Sequence, residues 1–245
     1  MLEAMNSAAA GMAAQQQRLD ATANDLANTN TTGYKHQRVG FRDLVYEQTG
    51  RSSAQGVRTG AGSAAVDGGR AFSQGAVQAT SRMLDVAIQG EGFLRIKLPD
   101  GRQALTRDGN LHVDGAGNLT TSAGGLVQPA IKIPEGVTED QIVISRDGTV
   151  QAAGRRVGRL ELVTVRAQVG LISAGDNAFV TSATSGAAVA APRASLLTQG
   201  ALEASNVDVA EAMVGIIESQ RAFQLSSKAI STADEMMGIA NGIKR

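Results

Sequence analysis

The stretch VAEAMVGIIESQRAFQLSSKAISTADEMM, residues 209–237, places Val209, Ile216, Phe223, Ile230 and Met237 at uninterrupted intervals of seven. Seven residues are two turns of a slightly underwound helix, so these five side chains form one narrow apolar seam. Four residues further on, Met213, Gln220, Ser227, Asp234 and Asn241 turn mostly polar and give the seam a neighbour that fixes register. A seam this narrow closes no globular core and needs a partner helix along its length. The other end of the chain offers one, with Met5, Met12, Leu19 and Leu26 repeating the same interval. The termini are therefore expected to pair, and to pack against helices of other subunits.

The first helix is expected over about residues 3–29, where Asn28-Thr29-Asn30-Thr31-Thr32-Gly33 stops it. These side chains compete for backbone hydrogen bonds, and Gly33 permits a left-handed turn. The last helix starts around residues 207–209 and runs to about Gly242. Ser205, Asn206 and Asp208 are its candidate caps, and Asp208 with Glu211 has capping-box spacing. Asn24, Asn28 and Asn206 are candidates for helix-end hydrogen bonds; ordinary local capping explains them equally well.

Between the helices the period changes from seven to two. Leu84, Val86 and Ile88 alternate, and Leu94, Ile96 and Leu98 alternate with Arg95 and Lys97. Asp-Gly pairs at Asp100-Gly101, Asp108-Gly109, Asp114-Gly115 and Asp147-Gly148 supply the positive φ angles of tight hairpins. Further strands are expected at 131–133, 142–144 and 160–163. The fold class is α+β: long N- and C-terminal helices paired as a coiled coil, with an inserted antiparallel β-rich domain. The expected division is 1–34 with 200–245 as a discontinuous helical assembly domain, 35–82 as an extended, Gly/Ser-rich connection, and 83–199 as the β domain. Within the connection, residues 49–70 read as the least structured part: by composition a flexible linker, by length inside a compact protein an interaction strip.

Composition narrows the function. Lys plus Arg and Asp plus Glu are 23 each, so nothing draws the chain to nucleic acid or an anionic membrane, and copies do not repel one another. The absence of cysteine excludes disulfides, thiolate metal sites and cysteine nucleophiles. No run approaches the roughly 20 apolar residues of a membrane span, and Met1–Leu19 lacks the apolar core of a cleavable signal. His36 and His112, the two histidines, lie in different segments with no second ligand at helix spacing. No G-x-S-x-G elbow, complete dinucleotide loop, Walker lysine or EF-hand ligand pattern is present. No catalytic, cofactor or metal site is expected.

Residues 23–35, ANDLANTNTTGYK, resemble the N-terminal signature of the bacterial flagellar rod and hook proteins. Residues 85–93, DVAIQGEGF, with Thr106-Arg107-Asp108-Gly109, are similar to the middle of that family. Residues 200–208, GALEASNVD, leading into Gln220-Arg221-Ala222-Phe223 and residues 226–230, are similar to its C-terminal part. The resemblance covers nearly the whole chain in order. Residues 127–131, VQPAI, and Phe41-Arg42-Asp43-Leu44 look most like the distal-rod branch; the proximal-rod branch shares this layout. The Gly/Ser-rich stretch after Tyr46 looks shorter than in many distal rod proteins.

The resemblance implies a helical homopolymer forming the drive shaft across the periplasm and peptidoglycan, exported through the flagellar type III apparatus. It implies proximal rod and hook proteins as neighbours, with P and L ring proteins around the shaft in a Gram-negative cell. In this family the segment matching 49–70 lies against neighbouring subunits, with Arg51, Arg58 and Arg70 available for hydrogen bonds. The competing reading from another class is a rod-associated peptidoglycan hydrolase, which requires two carboxylates paired across a cleft, with Asp85, Glu91 and Asp108 as the acids to consider.

Overall fold

A computed structural model of the chain describes residues 2–44, 46–49, 57–192 and 194–243. The chain falls into two compact units. The helical unit comprises Met1–Ala27, Gln37–Gly68 and Asp208–Arg245, and the β unit comprises Asn28–His36 with Gly69–Val207.

In the helical unit, α1 (Leu2–Ala27) and α2 (Val209–Ile243) pack antiparallel. As α1 advances from Gly11 to Arg18, its contacts on α2 retreat from Ser226 to Glu218. Asp208 caps α2, its carboxylate accepting from the amides of Ala210 (2.8 Å) and Glu211 (3.2 Å), which satisfies two of the four free donors of the first turn.

The connection departs most from its sequence reading. Strands β1 (Gln37–Asp43), β2 (Tyr46–Thr49), β3 (Val57–Gly60) and β4 (Ser63–Arg70) pair as β1 with β4 and β2 with β3. Tyr46 stands opposite Gly60 and Thr49 opposite Val57, and the Leu44 amide donates to the Gly62 carbonyl. The two pairs share one register across the described residues, so the extended connection, read from sequence as a linker or an interaction strip, is paired with itself. Composition misled because glycine depresses strand propensity, whereas here it serves packing. Gly62 (φ +96°) touches α1 so closely that a Cβ would lie 2.9 Å from the Ser7 carbonyl oxygen. Residues 50–56, including Arg51, lie outside the described residues.

The β unit is antiparallel, as its period-two pattern predicts. Its strands are β5 (Val77–Ala79), β6 (Val86–Gln89), β7 (Phe93–Lys97), β8 (Gln103–Thr106), β9 (Leu111–Val113), β10 (Leu119–Thr121), β11 (Leu126–Gln128), β12 (Ile142–Ile144), β13 (Thr149–Ala152), β14 (Arg155–Arg159), β15 (Leu162–Thr164), β16 (Ile172–Gly175), β17 (Ala178–Val180), β18 (Val189–Ala190), β19 (Leu196–Gln199) and β20 (Ala201–Glu203). The main sheet runs β16-β17-β8-β7-β11-β10-β9, with β15 also on β7 and β18 on β15. A meander β12-β13-β14 and the pairs β6–β19 and β5–β20 complete the unit.

Alternation along β7 sends Leu94 and Ile96 into the larger core with Leu84, Val86, Ile88, Leu111 and Leu119. It sends Phe93 into a second core with Leu105, Val163 and Phe179. Phe72 meets Phe93 and Phe179 edge-on at 5.2 and 5.1 Å, the favoured geometry for ring quadrupoles.

Three of the four Asp-Gly pairs sit in hairpins: β7–β8, β9–β10 and β12–β13. The fourth, Asp108-Gly109, does not. β8 and β9 are not partners, and Gly109 is close to Val86 of β6, whose amide donates to the Gly109 carbonyl at 3.0 Å. There glycine meets a steric demand, not a need for positive φ.

Candidate functional site

Two arrangements stand out, one in each unit. In the helical unit the seam residues Met5, Met12, Leu19 and Leu26 of α1 are half-buried, as are Ile216, Ile230 and Met237 of α2. Val209 and Phe223 are exposed at 41% and 40%. Leu19 and Phe223 line a hollow of about 150 Å³ with Gln15 and Ser219, and the Gln15 Oε1 atom is buried without a hydrogen-bond partner.

The most buried positions of α2 are small: Ala212, Ser219 and Ala233, with Ser226 half-buried between them. They also recur every seven residues, three places after each seam residue, whereas Gln220, Ser227 and Asp234 at four places are exposed. Sequence reading missed this row because it looked for large apolar side chains. Small side chains let the backbones of two helices approach. The hydroxyls of Ser219 and Ser226 donate to the carbonyls of Gly215 and Ala222 four residues back, so neither is left unsatisfied. Arg18 Nη2 and Glu218 Oε2, 3.2 Å apart at the surface, fix the register only weakly.

In the β unit the chain entering at residues 28–36 and the chain leaving at residues 200–207 are stitched to the sheet around one carboxylate. Glu203 is fully buried. Its Oε1 accepts from Lys35 Nζ (2.5 Å), Arg107 Nη1 (3.1 Å) and the Gly75 amide (2.9 Å), and its Oε2 accepts from Arg107 Nη1 (3.1 Å). Arg107 also donates to the carbonyls of Gly92 and Gly90, and Lys35 to that of Ser73.

Two buried cations thus share one anion. Burial holds the Lys35 ammonium below the usual lysine range; Glu203 opposes this shift and Arg107 adds to it. The Gly33 amide donates to the Glu203 carbonyl at 2.8 Å, and Gly33 (φ +67°) lies so near Asp108 that a Cβ would be 2.8 Å from its amide nitrogen.

The asparagines divide. Asn28 works locally, its Oδ1 accepting from Thr31 Oγ1 at 3.1 Å. Asn24 lies exposed near the end of α1. Asn206 is not the cap of α2, a role taken by Asp208. Its Oδ1 accepts from the His36 amide and its Nδ2 donates to the Ala71 carbonyl and to Ser73, joining three distant segments. This stitching draws residues 28–36 and 200–207 into the β unit rather than the helical one.

Among the described residues no group of three or more His, Asp or Glu side chains could hold a metal ion. Asp108 accepts from Thr32, Ser122 and the Asn110 amide; Asp85 Oδ2 accepts from Thr80, while its buried Oδ1 has no hydrogen-bond partner and lies 3.5 Å from Arg82 Nη1. His112 Nδ1 lies 3.2 Å from Arg82 Nη2. In the hairpin turns, hydrogen bonds from the Arg102 amide, the Asn118 side chain and the Thr149 hydroxyl hold Asp100, Asp114 and Asp147 below the usual carboxylate range. No helix among the described residues is long and apolar enough to cross a membrane.

Comparison with known proteins matches three family profiles in chain order. Residues 5–35 match the flagella basal body rod protein profile, residues 87–152 the flagellar hook protein FlgE/F/G D1 domain, and residues 198–243 the flagellar basal body rod FlgEFG protein C-terminal profile. The flagellar basal-body rod protein FlgG of Borreliella burgdorferi is 40% identical over 264 residues, covering all of both chains. Its counterpart in Caulobacter vibrioides is 40% identical over 96% of this chain and 97% of its own. That of Bacillus subtilis is 36% identical over all of both. Lys35, Arg107 and Glu203 fall one in each of the three matched stretches.

Proposed function

Because the chain belongs to the flagellar basal-body rod protein family, in its FlgG-type branch, and is a structural subunit of the distal rod rather than an enzyme, we propose that copies of it polymerise helically through the paired terminal helices. The observation that carries this reading is α2 itself. It runs 35 residues, and its exposed side chains include Met213, Val214, Ile217, Leu225, Met236 and Ile239. Large apolar side chains left exposed along the length of one helix supply surface for packing against further helices. A contact between unlike faces of identical subunits that does not close on itself continues as a helix.

In this reading Met5, Met12, Leu19 and Leu26 hold α1 to Ile216, Phe223, Ile230 and Met237 as a coiled-coil seam, with Val209 at its start. Asn24, Asn28, Gly33 and Asn206 set how the chain passes between helix and sheet. The protein resides in the flagellar basal body and assembles there with other flagellar components. The finer placement is part of the proposal: a shaft across the periplasm and peptidoglycan, proximal rod and hook proteins at its ends, P and L ring proteins around it, and delivery by the type III apparatus without a cleaved signal.

Phe223→Ala tests the seam. The ring is partly exposed, so its loss should cost roughly 2 kcal/mol, about half the 3–5 kcal/mol of a fully buried ring. The loss recurs in every subunit. Electron microscopy of basal bodies from cells carrying this variant should reveal few complete rods, while the purified variant keeps its β unit folded by circular dichroism. Rods of normal number and length would exclude the seam role.

A further inference from the structure

We propose that His112 is an acid-sensitive latch: a proton on its ring releases Arg82, and with it the loop 80–85 that clasps the start of the departing segment 200–207. Arg82 reaches from that loop onto β9. Its Nη1 donates to Asn110 Oδ1 at 2.7 Å, and its Nη2 to the Leu111 carbonyl and to His112 Nδ1, each at 3.2 Å. A guanidinium offers five donors and no acceptor. The contact therefore needs an unprotonated Nδ1, which is the tautomer with its hydrogen on Nε2. A proton on Nδ1 turns this acceptor into a donor and sets a second cation against the first.

The charges around the ring do not relieve that conflict. The loop brings Arg82 itself and Asp85, whose carboxylate lies on the Nη1 side of the guanidinium. The short turn Glu139–Gln141 brings Glu139, 3.9 Å from Nη2, and Asp140; both are exposed, and solvent screens them. Asp108, ahead of β9, accepts from the Asn110 amide, and Asp114, behind it, from the Asn118 amide in its own hairpin. β10 pairs with β9 through Leu119, Thr120 and Thr121, none of which titrates in this range.

The loop that Arg82 fixes grips residues 199 and 200. The Thr80 amide donates to the Gly200 carbonyl at 2.7 Å, the Gly200 amide to the Asp85 carbonyl at 2.8 Å, and Gln199 Nε2 to the Met83 carbonyl at 2.8 Å. One residue further on, Ala201 of β20 stands opposite Ala79 of β5. Releasing Arg82 thus loosens the turn that closes this strand pair. The latched state has no place for a proton on Nδ1, whereas a released ring takes one up near the ordinary imidazole value of about pH 6.5, so acid favours release.

Amide hydrogen exchange of the dilute full-length protein, followed by NMR from about pH 7.5 to 5, tests this. Corrected for intrinsic rates, protection of the Thr80 and Gly200 amides should fall by about tenfold per pH unit below the imidazole range, while protection across β7 stays level. His112→Asn keeps an acceptor near the place of Nδ1 and takes up no proton, so its two amides should not respond to pH. His36→Gln, which removes the other histidine, should keep the wild-type response.

Protection at Thr80 and Gly200 that is level with pH, or that falls equally in His112→Asn, overturns the latch. Loss of the response in His36→Gln overturns it too, as does an equal fall across β7, the mark of the whole unit opening. Should His112→Asn not fold, the wild type decides alone through the Cε1–H resonance of His112. That resonance should titrate over the same range as the loss of protection, and titration without that loss excludes the latch.

Discussion

Glu203→Ala is expected to destabilise the β unit by about 3–5 kcal/mol, the usual consequence of removing one partner from a buried ion pair. Lys35 and Arg107 would then face each other in the interior with no anion between them, and the Gly75 amide would lose its acceptor. Against a total stability of about 5–15 kcal/mol typical of such domains, that loss removes about a fifth or more of the folding free energy. Urea denaturation followed by far-ultraviolet circular dichroism measures it.

The companion variant Lys35→Met should be much milder. Arg107 alone still neutralises Glu203, and the variant removes an ammonium that burial disfavours. Lys35→Met takes one hydrogen bond each from Glu203 and the Ser73 carbonyl but leaves the anion paired with Arg107, so its urea midpoint should fall far less than that of Glu203→Ala. If both variants lose stability equally, the Lys35 contact rather than the charge balance is what matters.

Gly109→Ala is the second large effect. A Cβ at Gly109 would lie 1.6 Å from the carbonyl oxygen of Val86, the fully buried first residue of β6. Backbone in a packed core does not yield as a flexible side chain would, so the cost should exceed the 1–3 kcal/mol usual for overpacking. Soluble, folded protein should be nearly absent. Gly115→Ala is its control: nothing lies within 4 Å of that position and its φ is not positive. It should change stability by less than about 0.5 kcal/mol. The two glycines occupy identical Asp-Gly dipeptides, so only their surroundings separate them.

That pair also marks how far the chain could be read unaided. Both helices, the Asp208 cap and three of the Asp-Gly hairpins follow from local period and turn chemistry, which act over a few residues. The Glu203 cluster does not, because Lys35 and Arg107 lie 168 and 96 residues from it and no spacing rule connects them. The paired strands of 37–70 were hidden by glycine and serine, whose low strand propensity is overridden by pairing and by contact with α1. The inward row of α2 was hidden because alanine and serine do not look like a core until a second helix lies on them. Asn206 was assigned to the wrong task for the same reason, its partners being 133 to 170 residues away.

The register shared by the β1–β4 and β2–β3 pairs sets a rule for how this lineage can vary in length. A residue inserted into one strand alone would turn every side chain beyond it to the opposite face. Residues added in equal number on both sides, between Thr49 and Val57, disturb nothing nearer the helices. Each such pair lengthens the ribbon by about 3.4 Å. The ribbon therefore behaves like a telescoping arm, adjustable from its far end alone, and differences in size among related subunits should cluster there.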